Sequence, residues 1–227
     1  MQLIDIFVEP AKTFAELKER PNFLVPLLLM MVFSAVMVLL YFNTVDPDWL
    51  SEHQLAAAGK EMSATEIATA KEIMPAAKTM GTIGAVAGSV MIAVVSALMA
   101  LYYMLAGKIT GTALSFKHGM SMTTWSAMPT LLGMLVAIIG VLMMEPQTAL
   151  ESLMLTNLDP LLVQLPTDHA WSSFAKAFNL LSVWAVALAA IGWRVWTRSG
   201  WGQAITVAAI PTVLIYGVMA AMALAKG

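Results

Sequence analysis

Apolar residues fall in five long runs along the chain, and nearly all charges lie in the connections. The runs cover about 23–42, 79–105, 120–144, 174–195 and 203–225. A bilayer core about 30 Å thick needs roughly 20 mostly apolar residues in helical form, so each run predicts one transmembrane helix. Backbone groups in hydrocarbon must be paired within their own segment, which favours helices. The period-2 alternation of a membrane barrel is absent. The expected fold is all-α: a polytopic membrane helical bundle of five transmembrane helices, forming a single membrane domain over 1–227.

The connections carry elements of their own. Residues 1–20 predict an amphipathic helix starting near Pro10, with Phe14 and Leu17 on one face and Lys12, Glu16, Glu19 and Arg20 on the other. Two placements fit it, an interfacial helix in the headgroups and a cap packed on the bundle. The loop 43–78 predicts a helix opened by a Ser63–Glu66 capping box and broken at Pro75. The loop 145–172 predicts a helix near 148–155, then breaks at Asn157, Asp159, Pro160 and Pro166.

A short pattern repeats inside the runs. Ala127-Met128-Pro129-Thr130-Leu131-Leu132 in the third run matches Ala209-Ile210-Pro211-Thr212-Val213-Leu214 in the fifth. The second-plus-third and fourth-plus-fifth runs therefore resemble two parallel copies of one hairpin, and a chance recurrence of apolar letters fits as well. Each proline frees a carbonyl one turn earlier, for which Thr124, Ser126, Thr206 or water is the expected partner. Pro129, Thr130, Pro211 and Thr212 are candidates for a kink or a polar cavity. Gly84 and Gly88 form a GxxxG helix-packing pair, and Gly133/Ala137, Ala185/Ala189 and Gly217/Ala221 repeat the small-residue spacing.

Composition agrees with a membrane solvent. The chain is 59% hydrophobic and 11% charged, against about 45–50% and 25% for soluble domains. A net charge of −2 without a long basic run gives no sign of nucleic-acid binding. The first twenty residues hold four acids and no continuous apolar core, so a cleaved signal peptide is not expected.

Basic residues set the orientation. One side carries Lys12, Lys18, Arg20, Lys108, Lys117, Arg194 and Arg198; the other carries Lys60, Lys71, Lys78, Lys176 and Lys226. The two short connections are basic and free of acids, which places the N-terminus in the cytoplasm and the C-terminus outside. Lys108, Lys117, Arg194 and Arg198 are candidate contacts for anionic headgroups or a partner, or serve only to fix topology.

Candidate chemistry is sparse. The run centres contain no Asp, Glu, Lys, Arg or His, so a titratable relay of the kind an ion-coupled pump needs is missing. The chain has no Cys, and His53, His118 and His169 lack ligand spacing, so no metal site and no cofactor are expected. The 19 methionines are spread over every run and read as apolar filling. Trp171, Trp193, Trp196 and Trp201 read as an interfacial aromatic belt. No catalytic residues are assigned; an enzyme site would need His53, His169 and Asp168 to converge outside the membrane.

The stretch from Glu9 to Pro21 (EPAKTFAELKERP), running into Pro26-Leu27-Leu28, resembles the opening of bacterial members of the Yip family. The Gly107-Lys108 hairpin with Gly111 and Phe116, followed by a proline in the next run, is also similar to that family. The resemblance implies a five-span protein with its N-terminus inside and C-terminus outside. Eukaryotic relatives act in vesicle traffic, bind Ypt/Rab GTPases and oligomerise. Only about 20 cytoplasmic residues precede the first run here, which makes GTPase binding doubtful. The expected role is a non-catalytic scaffold or membrane-organising protein of a bacterial inner membrane. Its expected partners are lipids and either itself or another membrane protein. The alternative is a small transporter, channel or lipid-moving protein built on the two hairpins.

Overall fold

The computed structural model describes residues 2–57, 63–166 and 168–226, so the predicted outer-side charges Lys60 and Glu61 lie outside the described residues. The chain opens with α1 (Gln2–Val8) and α2 (Pro10–Glu19). The long helix α3 (Leu24–Thr44) follows, then the short α4 (Pro47–Ala57) and α5 (Ala64–Ile73). Next come α6 (Ala77–Ile109), α7 (Phe116–Ser126) and α8 (Pro129–Met143). The rest of the chain forms α9 (Ser172–Ala177), α10 (Leu181–Thr197) and α11 (Trp201–Lys226).

α3, α6 and α11, of 21, 33 and 26 residues, are long and apolar enough to cross a membrane. α7 and α8, a pair bent by 46° at Ala127–Met128, are together long and apolar enough to count as a fourth candidate span. The outward faces of these helices are apolar and exposed, as at Val86, Val90, Leu98, Val213 and Val218. Such a belt needs lipid around it.

α6 pairs with α3 through small residues. A Cβ added at Gly84 would sit 3.3 Å from Val38 Cγ1, and one at Gly88 3.7 Å from Ser34 Oγ, both on α3. Gly81, outside the GxxxG pair, is tighter, at 2.6 Å from Phe42 Cβ. Gly217 meets nothing within 4 Å.

The Ser63–Glu66 capping box forms in full, and α5 ends at Ile73 ahead of Pro75. Asp46 caps α4 by accepting from the Asp48 and Trp49 amides, each at 2.9 Å. Tyr41, Val45, Leu50, Val141 and Leu153 form an apolar core beneath these outer segments.

Three expectations fail between Glu145 and Leu180. A helix near 148–155 is replaced by a 3-10 turn at Leu150–Leu153, and the expected break at Asp159–Pro160 is a π-turn, Asp159–Val163. The run 174–195 is two helices, because the chain breaks at Phe178–Leu180. The break is repaired by the outer segment, which descends along α8 from Gly140, near Leu153, to Gly133, where an added Cβ would lie 2.7 Å from Thr156 Oγ1. There Leu158 N donates to Phe178 O and Leu180 N to Thr156 O, both at 2.9 Å. Asn157 Nδ2 donates to Lys176 O at 2.6 Å, and Asn179 Oδ1 accepts from Leu181 N at 2.8 Å. Irregular backbone is tolerated at membrane depth when protein groups satisfy it in this way. What remains, α10, is an apolar helix of 17 residues, about 25 Å long.

The two prolines behave differently. Pro129 opens α8 after the bend, whereas Pro211 lies inside an unbroken α11. The carbonyl that Pro211 leaves free, that of Val207, accepts from Tyr102 OH at 2.6 Å. Thr124, expected at such a site, bonds its own Met120 O at 2.9 Å.

Candidate functional site

The cytoplasmic end of the bundle, as the charges orient it, is built by an N-terminal cap. Phe14 and Leu17 share the inner face of α2 and are fully buried against α10. α2 therefore takes the packed placement, with its apolar face on protein. α1 continues the cap but leaves Ile4 and Val8 exposed.

Side-chain hydrogen bonds lock the cap to the bundle. Trp196 Nε1 donates to Phe14 O at 2.6 Å, and Lys18 Nζ donates to Trp196 O at 2.7 Å, near the C-terminus of α10. A cation suits that helix end, where carbonyls lack partners. Trp125 Nε1 donates to Asn22 O at 2.9 Å. His118 lies 3.1 Å from Lys18 O through Nε2 and 2.6 Å from Ser115 Oγ through Nδ1. A carbonyl can only accept, so Nε2 is the nitrogen that donates to Lys18 O, while Nδ1 faces the Ser115 hydroxyl.

The indole of Trp196 stands edge-on to Phe14 and to the His118 ring, with centroids 6.2 and 5.5 Å away. Trp193 and Trp196 are 0% and 1% exposed, which corrects their reading as interfacial belt residues. They are the core beneath the cap. Sequence shows that they sit near a helix end, and only the fold shows that α2 covers them. Trp201, 49% exposed, keeps the interfacial character. Gly192 makes room for this core, since a Cβ there would fall 2.7 Å from Met122 Sδ and 2.8 Å from Phe14 Cδ1.

The four candidate cations lie on the two hairpins beside the cap. Lys108 ends α6, Lys117 starts α7, Arg194 lies in the last turn of α10, and Arg198 follows it. All four are exposed, and none has an ion-pair partner among the described residues. The Arg194 guanidinium lies over the Trp201 ring, 4.5 Å from its centroid. It also lines an open groove of about 560 Å³ with Val8, Pro10, Lys12, Ile191, Val195 and Trp201. The hairpins meet where the His118 ring packs edge-on against Trp196.

Between the third and fifth predicted runs lies a smaller cavity of about 170 Å³. Thr130 and Thr212 both line it, with Met99, Tyr103, Thr123, Ser126, Ser182 and Ala189. Pro129 and Pro211 adjoin it in sequence without lining it.

The outer end gathers a different set than the sequence suggested. His53 Nε2 lies 3.4 Å from Glu151 Oε1, and Lys176 Nζ lies 3.2 Å from the same oxygen. They line an open pocket of about 500 Å³ with Asp159, while Asp168 and His169 do not. His169 Nδ1 instead accepts from Trp171 N at 3.2 Å. Burial alone would raise the Glu151 carboxyl, but backbone hydrogen bonding, Lys176 and His53 together hold it below the usual carboxylate range. This cluster ties α4, the 3-10 turn and α9 together.

A family model for the Yip1 domain matches residues 4–222, from α1 to near the end of α11. Among curated proteins, the membrane protein YknW of Bacillus subtilis (strain 168) is 23% identical over 229 residues, which covers 99% of this chain and 89% of that protein. No solved structure matches. The family match takes in the cap, both basic hairpins and every long apolar helix, and this multi-span membrane protein belongs to the Yip1 domain family.

Proposed function

We propose that this protein crosses a bacterial inner membrane five times and acts without catalysis, as a scaffold that gathers lipids and a membrane-protein partner at its cytoplasmic face. The observation that carries the reading is the locked cap. Three hydrogen bonds involving Lys18, His118 and Trp196 fix α2 against the bundle, a fourth from Trp125 fixes Asn22 just after it, and the cations of both hairpins stay exposed beside the cap. A rigid polar platform edged by cations suits recognition of anionic headgroups or an acidic partner surface. GTPase binding is not part of this proposal.

The remaining crossing, fourth along the chain, is α10. At about 25 Å it is short for a core of about 30 Å. The patched segment at Phe178–Leu180 extends its reach while keeping backbone groups paired. Bilayer thinning around a short helix costs little.

The transport alternative has one observation in its favour, the cavity at Thr130 and Thr212. At about 170 Å³ it has room for about six waters. A single file across the core needs about ten, so this volume lends little support to a path.

Replacing Lys108, Lys117, Arg194 and Arg198 together with Glu should abolish retention of anionic lipid or partner in mild detergent. Lipids and crosslinked proteins are identified by mass spectrometry, with helicity, monodispersity and orientation checked in parallel. Unchanged retention would show that this surface is not the contact.

A further inference from the structure

The open groove between the cap, α10 and the start of α11 carries one cation that the protein does not neutralise. Its charged lining residues are Glu9, Lys12 and Arg194. Glu9 and Lys12 pair with each other at 3.0 Å. Arg194 is exposed and has no ion-pair partner among the described residues. One acid against two bases leaves the groove with a single positive charge, at Arg194. The Trp201 ring, 4.5 Å from the guanidinium, holds that charge in place. A guanidinium seated on a ring keeps its in-plane N–H groups free for an oxyanion.

The rest of the groove is apolar, and the wall runs towards the bilayer. Val8, Ile191 and Val195 line it. Ile191 lies one turn from Val195 towards the middle of α10, so the wall deepens away from the cation. Val8, and Ile4 one turn back on α1, are 73% and 70% exposed, which leaves this apolar edge uncovered by protein. Arg194 and the half-exposed Trp201 stand at the end of α10 and the start of α11, the depth at which headgroups meet hydrocarbon. At about 560 Å³ the groove falls within the range of small-molecule sites, about 300–1,000 Å³. A cation at the mouth and an apolar wall leading into the membrane fit an amphiphile with an anionic head.

The charge count selects that head. A zwitterionic lipid brings an ammonium, and the one acid in the groove is already held by Lys12. A head with several phosphates brings more negative charge than one guanidinium offsets. A single phosphodiester without an amine leaves no charge unmatched.

We infer that this groove binds one phospholipid of single net negative charge, with its phosphate on Arg194 and its upper acyl chain against Val8, Ile191 and Val195. The inference rests on the reading of the cytoplasmic face as a lipid-gathering surface and narrows it to one lipid site apart from Lys108, Lys117 and Arg198, none of which lines the groove.

The test uses the full chain in nanodiscs with photoreactive phosphatidylglycerol or phosphatidylethanolamine of equal chain length, the reactive group lying near the glycerol. Phosphatidylglycerol should label segments 8–12 and 191–201 several-fold more than phosphatidylethanolamine. Arg194→Gln should reduce that labelling about tenfold, the loss of one charge-assisted contact. Arg194→Lys keeps the charge and loses the planar fork, so its labelling should be intermediate. Ala11→Trp fills the groove from an exposed position, leaves every cation in place, and should abolish the labelling by a separate route. A photoreactive amino acid in place of Val8 should capture lipid in native membranes. Equal labelling by the two lipids, labelling that survives both Arg194→Gln and Ala11→Trp, or capture of a protein segment at Val8 would overturn the site. Lys108→Gln, Lys117→Gln and Arg198→Gln together separate the two readings. Lower total retention of anionic lipid with groove labelling intact supports both. Unchanged total retention, with labelling lost only on Arg194→Gln and Ala11→Trp, upholds the groove and removes the wider cationic surface.

Discussion

Gly119→Ala should prevent accumulation of a monodisperse protein. A Cβ at Gly119 would overlap the backbone of Ala100, at its O, Cα and C atoms. Backbone cannot swing aside as a side chain can, so α6 and α7 would have to separate. That contact sets the second crossing against the third, and Met120 and Ala100 are buried in the same small cluster. Overpacking typically costs about 1–3 kcal/mol and more where the opposing atoms are fixed, so about 3 kcal/mol or more is expected here. In lipid, close backbone approach is itself a main source of helix association. Gly217→Ala is the control, because nothing lies within 4 Å of a Cβ there and the residue sits inside α11. Alanine at that position should be neutral or stabilising by up to about 1 kcal/mol. Size-exclusion profiles after a heating series read both. Equal behaviour of the two variants would contradict the close crossing of α6 and α7.

Trp196→Ala should release the cap. Trp196 is 1% exposed, donates to Phe14 O, packs edge-on against Phe14 and His118, and accepts from Lys18 through its carbonyl. Truncating a buried tryptophan costs about 3–5 kcal/mol, and here the cost falls on one joint between α2, α7 and α10. Trypsin cleavage after Lys12 and Lys18 in inverted vesicles should accelerate strongly, while the long helices stay protected. Trp196→Phe keeps an aromatic ring and loses the indole N–H with part of the buried volume, so its cleavage should be intermediate. Unchanged protection in Trp196→Ala would mean that the bilayer, and not the bundle, holds α2.

The long apolar helices were legible because their signal is continuous. Twenty or so apolar residues fix α3, α6 and α11 without help from elsewhere, and the Ser63–Glu66 cap and the Pro75 stop are equally local. The break at Phe178–Leu180 was not legible, because its cause is remote. No proline or glycine marks it, and the groups that satisfy it, on Thr156, Asn157 and Leu158, lie about twenty residues upstream. The partner of the Pro211-freed carbonyl is remote for the same reason. A Thr nearby in sequence was the local expectation, and Tyr102 of another helix fills the role. The cavity was visible only as two similar Pro-Thr steps.

The central claim is the five-crossing topology, and α10 is its weakest crossing by length. The chain contains no cysteine, so single cysteines report position without interference. Asp168→Cys and Gly200→Cys bracket α9 and α10 at exposed positions. Labelling with a membrane-impermeant maleimide in intact spheroplasts should modify Asp168→Cys at once, and Gly200→Cys only after permeabilisation. Labelling of both from the same side would contradict a crossing at α10, and the reverse pattern would contradict the orientation.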